Sequence, residues 1–170
     1  MHVKKPGKES IAWNGPLWKI LELHFLSHTH LRKLAEDVLV QDGLGLAHHR
    51  MAAFIFKYPG ITAGELRKIL QISNQALGTA ITFLIKRGFV EQVTDPDDRR
   101  LRHLHLSTSG MAVFNATLGR QIDAIEQAAL TAGPDAVRGF LSVAEILCAD
   151  DSKQFISPLD ENALSKLYKT

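Results

Sequence analysis

SNQALGTAITFLIKRGFVEQVTDPDDRRLRHLHLSTSG, residues 73–110, reads as a helix, a glycine stop, a strand, a charged turn, a second strand and the opening of another helix. Ser73 can cap the free amides at a helix start. Leu77, Ile81, Leu84 and Ile85 then recur at i, i+4, i+7 and i+8, which gives one apolar stripe. The opposite face carries Asn74, Gln75, Gly78, Thr79, Thr82 and Lys86. Gly88 stands where the helix should stop, because the left-handed conformation needed there costs glycine little.

Phe89 to Thr94 has the β-branched and aromatic content of a strand. Within Leu101 to Leu106, Leu104 and Leu106 alternate with His103 and His105 at the period of a second strand. Between them, Asp95-Pro96-Asp97-Asp98 is turn chemistry: proline fixes φ and aspartates bond nearby backbone amides. Arg99 and Arg100 are therefore held at or just past a hairpin tip. Ser107 offers a cap for the next helix, although Gly110 in its first turn is a poor helix former. Thr62 and Glu65 have capping-box spacing and start a short helix that ends near Leu70. Gln71 and Ile72 turn it into the Ser73 helix, so the pair fits a helix-turn-helix. The expected fold is mainly α with a small β-hairpin wing (α+β), a winged helix-turn-helix.

The run DPDDRR, then a strand, then LSTSG resembles the wing signature of MarR/SlyA-type transcriptional regulators. That signature is an acidic-proline turn, Asp-x-Arg, a strand, and Leu-Thr-x-x-Gly. Asp98 and Arg100 match the Asp-x-Arg pair, and Ser107 stands at the threonine. ILQISNQALGTAITFLIKRGFV is similar to the family's helix-turn-helix; the likeness covers about residues 16–149 and is most specific over 61–110. It implies a dimer formed by the N- and C-terminal helices. It also implies a crevice between those helices and the helix-turn-helix that takes small aromatic or phenolic acids.

The rest of the chain agrees with one domain. Its 170 residues, 45% hydrophobic, are enough for a sizeable core. A net charge of +2 does not by itself suggest nucleic acid, but the distribution does. Residues 47–108 hold nine Lys/Arg against five Asp/Glu, and residues 109–151 hold two against six. A single cysteine, Cys148, excludes an intramolecular disulfide, and its apolar helical setting predicts an inert buried thiol. With no apolar run after Lys4, Lys5 and Lys8, and no membrane-length segment, the expectation is a soluble cytoplasmic protein without membrane contact.

By organisation, residues 1–13 read as a flexible basic arm, 14–151 as the single domain, and 152–170 as a C-terminal extension. Within the domain, the winged helix-turn-helix spans about 47–108 and the dimerisation helices about 14–40 and 108–149. Asn14 is a plausible first cap, with Pro16 tolerated in the opening turn. Ala47 to Tyr58 forms a second helix ended by Pro59-Gly60. Leu17, Ile20, Leu21 and Phe25, then Met111, Ile122, Ile125, Phe140 and Leu147, give the long helices more apolar face than a lone domain needs.

For function, Ser73, Asn74, Gln75, Gly78, Thr79, Thr82 and Lys86 are the expected DNA-reading helix face. Asn74 and Gln75 can bond adenine's N6 and N7. Family members often carry an arginine where Thr79 or Phe83 stands here, so this face is light in charge. Arg99 is assigned to the minor groove. The resemblance pairs Arg100 with Asp98 to hold the turn, and Arg102 is set against backbone phosphate. Trp18, Phe25, His28, Arg32, His48, His49 and Met51 are the expected lining of the effector crevice. His24 and His28 sit at chelating spacing but lack further ligands, so no metal is expected. No cofactor is expected either, and no nucleophile motif or phosphate-cradling glycine loop points to an enzyme. The predicted protein is a homodimeric repressor binding double-stranded DNA at a pseudo-palindromic operator and released by a small acid. The alternative is a winged-helix protein-interaction or architectural module.

Overall fold

A computed structural model describes residues 15–148 and 150–169. The basic arm and Asn14 lie outside the described residues. Helix α1 (Pro16–Gln41) leads through a glycine turn into α2 (Leu46–Lys57), followed by a two-residue strand β1 (Ile61–Thr62). Next come α3 (Ala63–Leu70), α4 (Asn74–Lys86), β2 (Val90–Thr94) and β3 (Arg102–Leu106). The chain continues through α5 (Thr108–Ala132) and α6 (Pro134–Leu147) to two short helices, α7 (Asp150–Lys153) and α8 (Glu161–Leu167). The fold is thus a winged helix-turn-helix carried on long helices.

The local signals act as their chemistry requires. Thr62 and Glu65 close a capping box on α3, and Ser73 accepts the amide of Ala76 at the start of α4. Gly88 takes φ +74 at the end of α4. The strand β1 adds to the expected hairpin; Ile61 and Thr62 pair with Leu104 and His103, giving an antiparallel sheet of order β1-β3-β2. Two residues are too few to show an alternation.

Leu66, Leu77, Ile81 and Leu84 of the helix-turn-helix are buried with Met51, Ala52 and Ile55 of α2 and Val90 and Leu104 of the wing. Ala35 and Leu39 of α1 and Phe114 of α5 complete this core, and the Gln121 amide donates to the Leu31 carbonyl at 2.8 Å to tie α5 to α1. Beyond that tie the long helices keep their apolar faces open: Leu17 is 78% exposed, Phe140 71%, Ile146 74% and Leu147 75%. Cys148 shares that open end and is exposed, which overturns the expectation of a buried thiol.

The C-terminal extension folds back. α7 packs on α3, the Gln71 amide donates to Ser152 Oγ at 3.2 Å, and the Tyr58 hydroxyl donates to the Phe155 carbonyl. The chain then returns to the long helices, where Arg138 holds Glu161 at 3.1 Å, Leu164 is buried, and the Tyr168 hydroxyl donates to the Ala129 carbonyl at 2.8 Å.

The motif LSTSG has a physical meaning at the root of α5. The hydroxyls of Ser107 and Ser109 both donate to the Gly88 carbonyl, at 2.6 and 2.9 Å, and the Ser107 amide donates to the Phe89 carbonyl at 3.0 Å. A Cβ on Gly110 would lie 2.0 Å from that carbonyl oxygen, so the poor helix former is the residue that lets α5 seat against the strand. Gly110→Ala should therefore destabilise the protein by about 1–3 kcal/mol, the overpacking range. Gly78→Ala, where a Cβ meets nothing within 4 Å, should stabilise it by about 0.5–1 kcal/mol. Urea unfolding of the two variants gives the sign of each.

Candidate nucleic-acid interface

The α4 stripe faces the core, so its other side is turned to solvent: Ser73, Asn74, Gln75, Gly78, Thr79, Thr82 and Lys86 are all exposed. Ser73 spends its oxygen lone pair on the cap at 3.2 Å, which fixes the first turn that carries Asn74 and Gln75. Phe83 is turned partly inward, stacked on His48 at 4.6 Å between centroids, with the Arg87 guanidinium 6.0 Å from its ring. Arg87 in turn donates to the Asp42 carbonyl at 2.7 Å, so the end of α4 is tied to the α1–α2 turn.

The wing is braced on both sides. Asp95 Oδ1 accepts the amides of Asp97 and Asp98 at 2.8 and 2.9 Å, and Asp98 Oδ1 accepts the amide of Arg100 at 2.9 Å. These are the aspartate-to-backbone bonds expected of the turn. One assignment changes. Asp98 holds the main chain of Arg100 through its amide, among the described residues no ion pair joins Asp98 to the Arg100 guanidinium, and Arg100, like Arg99, is exposed. Arg102 also differs from expectation. Its Nη1 donates to Thr94 Oγ1 at 2.6 Å and to the Arg99 carbonyl at 3.1 Å, so it splints the hairpin under Arg99 rather than standing free for phosphate.

His103 lies at the other brace. Its Nε2 is 2.7 Å from Asp95 Oδ2 and its Nδ1 is 2.7 Å from the Gly60 carbonyl. The bond from His103, then those from the Asp98 and Asp97 amides, hold the Asp95 carboxyl down at about 2. The bonds to Asp95 and then to Gly60 raise the His103 pKa above its ordinary 6.5. On α3, the hydrogen bonds from the Thr62 backbone and side chain lower the Glu65 pKa.

The expected crevice residues differ in their surroundings. Met51 is buried in the core, and His49 is buried with Nε2 lacking a hydrogen-bond partner and its ring 6.3 Å from Phe114. Burial lowers the pKa of both His48 and His49. His48 Nδ1 accepts the Gly45 amide at 3.0 Å, so this imidazole caps its own helix. Phe25 and His28 are exposed on α1, Trp18 is half-buried, and Arg32 pairs with Glu36 at 3.3 Å. The cleft at the α1–α2 junction, about 570 Å³, is lined instead by Glu36, Asp37, Leu39, Val40, Leu44, Gly45 and Leu46. Among the described residues no group of three or more His, Cys, Asp or Glu side chains is placed to hold a metal ion. Among them, too, no helix is long and apolar enough to cross a membrane.

A family model described as "MarR family" matches residues 42–101, from the end of α1 to the wing. The chain is also 33% identical over 144 residues to the HTH-type transcriptional regulator PetP of Rhodobacter capsulatus, covering 84% of this chain and 87% of that one. The chain belongs to the MarR family. Members are DNA-binding transcriptional regulators and not enzymes. Solved structures share the fold at lower identity. A MarR-family regulator from Silicibacter pomeroyi superposes with a TM-score of 0.67 at 19% identity, covering 81% of this chain and 93% of that one. A MarR mutant from E. coli complexed with operator DNA gives 0.61 at 20%, covering 82% and 100%. An S. aureus MepR mutant bound to an oligodeoxyribonucleotide gives 0.53 at 18%, covering 76% and 95%.

The reading helix depends on its cap. Ser73→Ala should cost about 1 kcal/mol. Ser73→Asp, which keeps an acceptor, should lose less, and thermal unfolding of both compares them.

Proposed function

We propose that this chain is a homodimeric repressor that places two α4 helices in successive major grooves of a pseudo-palindromic operator, with Arg99 of each wing in the flanking minor groove. The observation that carries the reading is the combination of an exposed, capped amide-and-hydroxyl face on α4 with a braced wing turn on which Arg99 and Arg100 are exposed. Asn74 and Gln75 read base edges, Gly78 and Thr79 permit close approach, and Thr82 and Lys86 meet the sugar-phosphate backbone. Two-fold symmetry of the protein then asks for half-sites about one helical turn apart.

The exposed apolar residues of α1, α5 and α6 support the dimer, because large apolar side chains left open in such number favour association. A small aromatic or phenolic acid as the releasing ligand needs groups from both chains. Within one chain Arg32 is tied to Glu36, and the cleft beside it carries Glu36 and Asp37, which repel an anion.

The test is selection of bound fragments from random DNA, followed by affinity measurements on the selected duplex. Inverted repeats are expected. Asn74→Ala or Gln75→Ala should cost about 1–3 kcal/mol on that duplex and relax the preference at one position. Arg99→Ala should weaken binding and reduce the salt slope by about one. A monomer in sedimentation that binds all duplexes alike would favour the interaction or architectural module instead.

A further inference from the structure

We propose that His103 is a positioning residue for DNA binding: protonated on both ring nitrogens, it ties Gly60 to Asp95 and so holds the turn at the angle from which Arg99 reaches the minor groove. The inference rests on the reading of the wing as a DNA contact.

Hydrogen-bond bookkeeping requires the second proton. Both partners of the ring, a backbone carbonyl and a carboxylate, are acceptors only, and each lies at 2.7 Å. A neutral imidazole has one N–H. It can satisfy one partner and must turn a lone pair toward the other. Only the imidazolium makes both bonds.

The ring is also the link between the core side of the sheet and the tip. Gly60 leads into β1, and its amide donates to the Leu104 carbonyl at 2.9 Å, so the carbonyl that meets His103 belongs to a fixed strand end. Asp95 receives His103 on one oxygen and the amides of Asp97 and Asp98 on the other, and Asp98 receives the amide of Arg100. A displacement at the ring therefore passes through a carboxylate and two backbone turns to the guanidinium groups. The Arg102 splint on the Arg99 carbonyl completes the brace.

The charges that face the ring favour the proton. Asp95 stands at the turn and Glu65 on α3, with Lys68 close enough to Glu65 to offset it in part. His105 shares the β3 face and lies beside Gly60, where a Cβ would be 3.5 Å from its Cε1. Because His103 binds its proton more tightly in the folded wing, the clamp is whole below the ordinary 6.5 and is lost as pH rises through the raised value. Asp95, held at about 2, stays ionised throughout that window. DNA phosphate beside the wing acts in the same sense, so binding takes up protons and affinity falls as pH rises. Each further unit by which DNA raises the His103 pKa corresponds to about a tenfold change in affinity across the titration.

The experiment has three arms. NMR titration of the free protein should place the His103 midpoint above 6.5 and show it lowered by Asp95→Asn, whose amide oxygen can still accept the turn amides. Fluorescence anisotropy on the duplex selected above, from below 6.5 to above that midpoint, should show wild-type affinity falling. Asp95→Asn and His103→Gln, checked by circular dichroism for a native fold, should bind more weakly at the acid end and show a flattened profile. The inference is overturned if His103 titrates at or below 6.5, or if both variants keep the wild-type profile, which would assign the proton to another histidine. Arg99→Ala is the third arm. Unchanged affinity there would sink the wing as a DNA contact, and this inference with it, whatever the NMR shows. Reduced affinity there with an unaltered profile in the clamp variants would sink the inference alone.

Discussion

The structure depends on one backbone junction. The carbonyls of Gly88 and Phe89, where α4 gives way to the wing, are gripped by two serine hydroxyls and an amide from the start of α5, with Gly110 pressed against the Phe89 carbonyl. The grip fixes three things at once: where the reading helix ends, where the hairpin begins and where the long helix departs. A side chain at Gly110 or the loss of a serine oxygen would disturb all three. That explains why the hairpin and the glycine-bearing helix start form one sequence unit.

Beyond that junction the wing solves a mechanical problem. A two-stranded hairpin is floppy in water unless something stiffens it. Here a third strand, an arginine splint on Thr94 and Arg99, and a histidine clamp on Asp95 together make a firm base, while Arg99 and Arg100 remain exposed. Positive charge is thus concentrated where the reading helix is poorest in it. The acidic stretch over residues 109–151, which holds α5 and α6, and the basic winged portion separate a region that repels phosphate from one that attracts it.

Most of the local architecture was legible from residue spacing. The caps at Thr62 and Ser73, the stop at Gly88 and the aspartate turn are all determined within a few residues, so the sequence displays them. Contacts between distant segments were not legible. β1 exists because Ile61 and Thr62 find Leu104 and His103 some forty positions on. The clamp needs Gly60 and Asp95 to meet one ring, and no pattern announces that. Helix phase placed Met51 and His49 toward a crevice, but phase gives only a side of a helix. Met51 and His49 are both buried, His49 beside Phe114, and the α1–α2 cleft is lined by other residues. Cys148 looked buried because its helix is apolar, yet a stripe reports burial only when something covers it.

The tail that returns from α6 alters how the winged lobe is fastened. Covalently that lobe joins the long helices through the α1–α2 turn and through the root of α5, and Ala35, Leu39 and Phe114 pack into its core between those two points. The contacts of Ser152 and Phe155 with Gln71 and Tyr58 add a third fixing point, at the end of α2 remote from the first. The tail therefore braces the lobe from the side away from the α1–α2 turn, in addition to the core that Ala35, Leu39 and Phe114 share with it.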